Sequence, residues 1–123
     1  MIYTLHLFKI LLIIALFVPL GTISIAEDTA ISQDSLKSGK ELYLKRCRLC
    51  HGSKGTSGKR LSKNQNLADT QYVANTIING RGYMTAFGEH LTDEEISLIM
   101  TFVRNSIGNS FGAVSAEEVA RYR

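Results

Sequence analysis

The chain contains no tryptophan, a single proline and only two cysteines in 123 residues. Two cysteines are too few for a disulfide-stapled scaffold or a four-cysteine zinc site. The charges nearly cancel: 14 Lys and Arg against 11 Asp and Glu give a formal +3. That balance excludes the basic field of a nucleic-acid binder. No stretch alternates apolar and polar residues long enough for a strand, and no repeat or low-complexity segment occurs. The length gives one small domain, which excludes multidomain enzymes, doubly wound nucleotide-binding folds and polytopic membrane proteins. The first 26 residues supply 19 of the 55 residues behind the 45% hydrophobic share. The remaining chain has a thin core, and something must supplement it.

Those first residues read as an address. His6 and Lys9 precede an unbroken apolar run, Ile10–Val18, which Pro19 and Gly21 break; Ser24 and Ala26 then place small residues before Glu27. This order of charge, apolar run and small-residue site is that of a secretory signal peptide over residues 1–26. A membrane span needs about 20 apolar residues; Ile10–Ala26, if kept, would serve as an N-terminal anchor. Either way the domain is expected to be exported, to the periplasm or an equivalent compartment. Membrane contact is expected only if this segment is retained.

Residues 27–34 read as a flexible lead-in and 35–123 as one all-α domain of about three main helices and a short C-terminal one. Asp34 is a candidate cap for a helix over Ser35–Arg46, with Leu36, Leu42 and Tyr43 inward and Gly39 leaving a flat spot. Ser53–Asn66, with Leu61 as its large apolar residue, reads as an exposed loop. Asp69 or Thr70 opens a second helix near Tyr72–Asn79, with Val73, Ile77 and Ile78 inward and Asn79-Gly80 as its stop. Thr92 and Glu95 form a capping box. Behind it Ile96, Ile99, Met100, Val103 and Ile107 recur at helical spacing up to Gly108. A second box at Ser115–Glu118 opens a helix to about Tyr122.

Cys47-Arg48-Leu49-Cys50-His51 is C-x-x-C-H, the attachment pattern of c-type haem. Two thiols that add to two vinyl groups on one porphyrin edge must leave the same side of a helical turn, as positions i and i+3 do. The next residue then falls under the ring, where an imidazole nitrogen ligates iron. Three other readings compete. A redox dithiol calls for a βαβ pattern. A zinc half-site would need His51 or His90 as further ligands. A plain disulfide would close a tight ring. For the second axial position the candidates are Met84, His90 and Met100. Met100 lies on the apolar face of a capped helix, where core packing accounts for it, and His90 precedes the Thr92 cap. Met84 lies in the glycine-bearing loop Gly80–Gly88, where glycines let backbone approach a flat cofactor and Tyr83 and Phe87 are placed to wall the pocket.

Cys47–His51, the Gly39…Tyr43 pair, Gly80–Gly88 and the Leu91–Val103 helix together resemble a class I mono-haem cytochrome c, over most of residues 35–107. The resemblance implies a first helix crossing the Leu91–Ile107 helix near Gly39, with Tyr43 and Phe102 at the crossing. It implies one covalent haem c on Cys47 and Cys50, with His51 and Met84 as axial ligands to its iron. It also implies a carbonyl from the loop after the haem motif facing the second nitrogen of His51. The segment from Arg104 to Arg121 resembles cytochrome subunits that accompany periplasmic dehydrogenases and nitrite or sulfite oxidoreductases. Two departures stand out. Thr85 follows Met84 where the family often has proline, and Gly58-Lys59-Arg60-Leu61 has none. Both predict looser loops and a weaker Met84–iron bond.

With both axial places filled, the expected work is one-electron transfer between exported redox partners, without catalysis of bond making. The other functional reading is a haem peroxidase or ligand sensor in which Met84 is displaced; a zinc or dithiol module is more remote. Leu61, Leu67, Val73, Ile77, Tyr83 and Phe87 are expected to line the haem. Lys45, Arg46, Arg48, Lys54, Lys59, Arg60 and Lys63 fall in one acid-free window around the motif. They read either as an ordinary solvated face or as a docking rim for an acidic partner.

Overall fold

The computed structural model describes residues 31–123, and the predicted signal segment lies outside the described residues. Five helices follow in order: α1 Gln33–Arg46, α2 Arg48–His51, α3 Thr70–Asn79, α4 Asp93–Asn105 and α5 Ala116–Ala120, with a 3-10 turn at Gln65–Ala68 between α2 and α3. Among the described residues there is no strand, only an isolated bridge between Arg81 and Met84. The all-α expectation holds.

Helix starts follow side-chain chemistry. Asp69 accepts from the Tyr72 N–H at 2.9 Å to open α3. Both halves of the Thr92–Glu95 capping box form at α4, at 3.1 and 2.9 Å. Each satisfies an orphan N–H of the first turn. Two expectations need correction. The cap of α1 is Ser32, which accepts from the Ser35 N–H at 3.0 Å, so α1 starts at Gln33 and takes up the end of the predicted lead-in. Asp34 lies within the first turn, where its charge still favours the helix dipole. At α5 only the Ser115 half of the second box forms, accepting from the Glu118 N–H.

The core is organised around α4, which packs against α1, α3 and α5. Its crossing with α1 depends on Gly39. A Cβ there would fall on the Leu98 carbonyl oxygen and stand 2.9 Å from Phe102 Cβ. Only a residue without one lets the backbones approach this closely. Tyr43 and Phe102 meet at the same crossing, ring centroids 5.4 Å apart and planes tilted by 48°, a favourable edge-inclined geometry. Tyr43, Ile96, Ile99, Met100 and Val119 are the largest fully buried side chains. Leu67, Val73, Ala74 and Ile77 extend the same cluster.

Helix α4 ends at Asn105, short of the predicted Gly108, with Ser106 extended and Ile107 at φ +53°. The last-turn carbonyls have found partners that end the helix. Asn105 Nδ2 donates to Thr101, Asn109 Nδ2 donates to Val103, and the Phe111 N–H donates to Arg104. With those acceptors taken, nothing favours another turn.

The predicted open loop after the haem motif is internally bonded. The N–H groups of Leu61 and Ser62 both donate to the Gly55 carbonyl, at 2.8 and 3.0 Å. Asn109 ties this segment to the end of α4, donating to Leu61 O at 2.9 Å and accepting from the Asn64 N–H at 3.0 Å. Buried Arg104 holds the 3-10 turn, donating from Nε to Leu67 O at 2.8 Å and from Nη2 to Ala68 O at 3.3 Å and Phe111 O at 2.9 Å. In the Gly58–Leu61 loop, which has no proline, the amide of Asn109 ties the backbone to the end of α4.

Candidate haem site

The motif occupies a single turn at the end of α1. Cys47 closes α1, its N–H donating to Tyr43 O at 2.8 Å. The N–H groups of Cys50 and His51 then both point back to Cys47 O, at 3.2 and 3.0 Å, and the Gly52 N–H reaches Arg48 O at 2.8 Å. Cys47 and Cys50 therefore leave the same side of one turn, with His51 next to them.

Both thiols are free, Cys47 half-buried and Cys50 exposed. Burial, and secondarily the neighbouring Cys50, push the Cys47 thiol up to about 11. A redox dithiol works through a thiol whose pKa is lowered, and Cys47 is the reverse. The zinc reading fares no better, since among the described residues no group of three or more His, Cys, Asp or Glu converges on a metal position.

His51 has its orientation and tautomer set by the following loop. Its Nδ1 lies 3.0 Å from the Lys59 carbonyl oxygen. A carbonyl only accepts, so the proton belongs on Nδ1 and the Nε2 lone pair is free for a metal. This is the contact that the resemblance implied for the Gly58–Leu61 neighbourhood. The loop makes it by returning on itself: the Ser57 N–H donates to His51 O at 3.0 Å. Gly58, at φ +55°, passes so close to the turn that a Cβ would lie 2.8 Å from Cys50 O.

Sequence reasoning missed one part of this turn. The Tyr43 hydroxyl donates to Gly52 O at 2.6 Å. Spacing marked Tyr43 as a core residue, and the phenol of a buried tyrosine generally needs a partner, but nothing local named Gly52.

Met84 comes from a different part of the chain. Gly80, at φ +71°, turns α3 into a tight reversal in which Arg81 and Met84 exchange backbone hydrogen bonds of 3.2 and 3.1 Å. The segment is then strapped to the last turn of α3, Phe87 N–H to Ile77 O at 2.9 Å and Gly88 N–H to Ile78 O at 3.0 Å. Met84, Phe87, Leu61 and Cys47 are all half-buried against the core cluster. Of the other sulfur and imidazole candidates, Met100 is fully buried in the core and His90 is exposed. Tyr83 stands exposed at the tip of the reversal, next to Gly82, whose surroundings are open.

All seven bases of the acid-free window are exposed. None of them is in an ion pair among the described residues.

The donor set fits a covalently held haem: two free thiols and an imidazole on one turn, the imidazole with Nδ1 engaged by a carbonyl and Nε2 left for a metal, and a thioether on a separate glycine-bounded loop. Comparison with known proteins agrees. The family model described as cytochrome C oxidase, cbb3-type, subunit III matches residues 34–103. The cytochrome c subunit of alcohol dehydrogenase (quinone) from Gluconobacter oxydans (strain 621H) is 30% identical over 104 residues. That match covers 70% of this chain but 22% of the relative, so the chain spans about a fifth of that protein's length. Cytochrome c6 from Gracilaria tenuistipitata var. liui is 27% identical over 84 residues, covering 62% of this chain and 77% of the relative. The chain thus belongs to the cytochrome c family, as a small all-α class I c-type cytochrome carrying a covalently bound haem c and its iron.

Proposed function

We propose that the chain is a one-electron carrier with its haem linked to Cys47 and Cys50 and the iron held axially by His51 and Met84. The observation that carries this reading is the single turn bearing both thiols and an imidazole whose Nδ1 is committed to the Lys59 carbonyl. When bound, the haem supplies the ferric–ferrous couple. The chain's residues do the rest. The Lys59 carbonyl keeps the His51 ring oriented and makes it a better electron donor to a bound metal. A neutral methionine sulfur and an apolar surround of Leu67, Val73 and Ile77 favour the reduced state. A site with two protein ligands leaves no place for substrate, so an electron passes with no bond made or broken.

The partners in this reading are redox proteins of an exported compartment. The relative from Gluconobacter, named as a dehydrogenase's cytochrome subunit, supports service to an oxidoreductase, as a free carrier or as a subunit. The exposed bases around the motif form a rim suited to an acidic partner surface. Residues 1–26 would direct export. Among the described residues, no helix is long and apolar enough to cross a membrane.

The test is an absorption spectrum of protein made in cells that attach haem. The pigment should resist acid–acetone extraction, and the oxidised form should show a weak long-wavelength sulfur-to-iron band that Met84→Ala removes. Extractable pigment would sink the thioether assignment. Persistence of the band in Met84→Ala would sink the axial one.

A further inference from the structure

The segment that carries Met84 is held on both sides. Before it, Arg81 and Met84 exchange backbone bonds; after it, Phe87 and Gly88 bond to Ile77 and Ile78, and Phe87 O accepts from the N–H groups of His90 and Leu91. Between these fixings, Thr85 and Ala86 contribute no backbone hydrogen bond to the fold. One side chain, Arg123, reinforces the later fixing. Its Nη2 donates to the Leu91 carbonyl at 2.7 Å, its Nη1 donates to the Gly88 carbonyl, and its Nε donates to the Asp93 carboxylate. All three guanidinium nitrogens are in use. The acceptors run from the end of the Met84 segment to the first residue of α4. Arg123 is brought there by α5, which is anchored independently through fully buried Val119.

A planar fork with three separate nitrogens fixes the relative positions of three acceptors, which a point charge on a flexible stem does not. The Arg123–Asp93 pair is about a third exposed on each side, at 33% and 30%, so its Coulomb energy is largely screened. Its effect is therefore one of register. It holds Gly88 against Leu91 and α4, and so limits how far the Thr85–Ala86 stretch before it can swing.

We propose that Arg123 is a positioning residue that keeps the Met84 segment closed, so that Met84 stays on the iron in competition with outside ligands. The inference rests on the reading of Met84 as an axial ligand.

Imidazole, which competes with Met84 for iron, is the probe. It is titrated into the purified holoprotein as wild type, Arg123→Ala, Arg123→Lys and the control Arg121→Ala, while the long-wavelength sulfur band is followed. Arg123→Ala should bind imidazole about tenfold more tightly, because the open, competent population is larger. Arg123→Lys should lie between it and the wild type, and Arg121→Ala should match the wild type. Haem content and far-ultraviolet dichroism should be unchanged, which separates loop opening from unfolding. If Arg123→Ala yields no holoprotein, Arg123→Lys and Asp93→Asn carry the same comparison, each with a gain of a few-fold. Unchanged imidazole affinity in variants of a wild type that shows the band overturns the role of Arg123 and leaves Met84 as ligand. A wild type without the band overturns both.

Discussion

The hydroxyl of Tyr43 donates to the Gly52 carbonyl oxygen across 2.6 Å, so the ring that fills the α1–α4 crossing also pins the residue after His51. Core packing and the placement of His51 are thereby one structure. Tyr43→Phe keeps the ring and loses the bond. Gly52 O retains a second donor, the Gly55 N–H at 3.2 Å, so it is not orphaned, and the cost should be about 1 kcal/mol. Chemical denaturation of the holoprotein measures it.

The same residue gives a pH dependence. Burial, and next the nearby Cys47, raise the Tyr43 phenol above its ordinary 10.0, partly offset by the backbone N–H of Gly55 nearby. Attachment of haem to Cys47 would remove that residue's share and leave burial. The folded state then holds its proton more tightly than the unfolded one. The stabilisation is complete below the ordinary phenol range and is lost as pH rises through the raised value. Wild type should lose stability on this limb more steeply than Tyr43→Phe; parallel limbs would contradict it.

Gly58 tests the loop that delivers the Lys59 carbonyl. Alanine there meets both the positive φ and the Cys50 carbonyl. Left-handed backbone alone costs a residue with a Cβ about 1–2 kcal/mol. Relief would draw the Lys59 carbonyl away from His51, making the imidazole a weaker donor and raising the reduction potential. Voltammetry of Gly58→Ala checks the sign, and an unchanged potential would show the carbonyl to be a bystander.

What was legible in the sequence is what is local. The C-x-x-C-H turn, the Asp69 and Thr92 caps and the inward stripe of α4 depend on residues within a turn or two of one another. The misreadings came from competition or distance. Ser32 and Asp34 are both good caps, and only the observed bond chooses between them. The end of α4 depends on where Asn109 turns its amide, which reaches back to Val103 and across to Leu61. The Lys59 carbonyl was anticipated through a family likeness, since backbone groups leave no trace in residue type.

Arg104 should be the costliest polar residue to replace. It is buried, burial lowers its pKa, and its nitrogens serve Leu67, Ala68 and Phe111. Arg104→Leu leaves these carbonyls without that donor, for a loss of about 3 kcal/mol. Arg104→Lys should recover little, because one ammonium cannot occupy the places of Nε and Nη2 together. Equal stability of the lysine variant and wild type would mean that charge, not geometry, matters at this position.

The basic rim predicts the kinetics of electron exchange. Lys54 and Arg60 are exposed, follow the motif closely in sequence and use no side-chain atom in the hydrogen bonds that shape the loop. Lys54→Glu with Arg60→Glu should therefore leave the spectrum and the fold alone while reversing the local potential. With ferricyanide, an anion, the bimolecular rate at low salt should fall about tenfold; with hexaammineruthenium, a cation, it should rise. Both changes should shrink as salt approaches about 0.1 M, where the screening length is about 10 Å. Lys37→Glu, on the first half of α1, adds the same charge change per site away from the motif and should alter neither rate much. With both probes used as oxidants of the reduced protein, hexaammineruthenium in its ruthenium(III) form, opposite responses cannot come from a shifted potential or damaged packing, which would slow or speed both alike. If the two respond in the same direction, or if Lys37→Glu does as much as a rim substitution, the bases around the motif are only a solvated face.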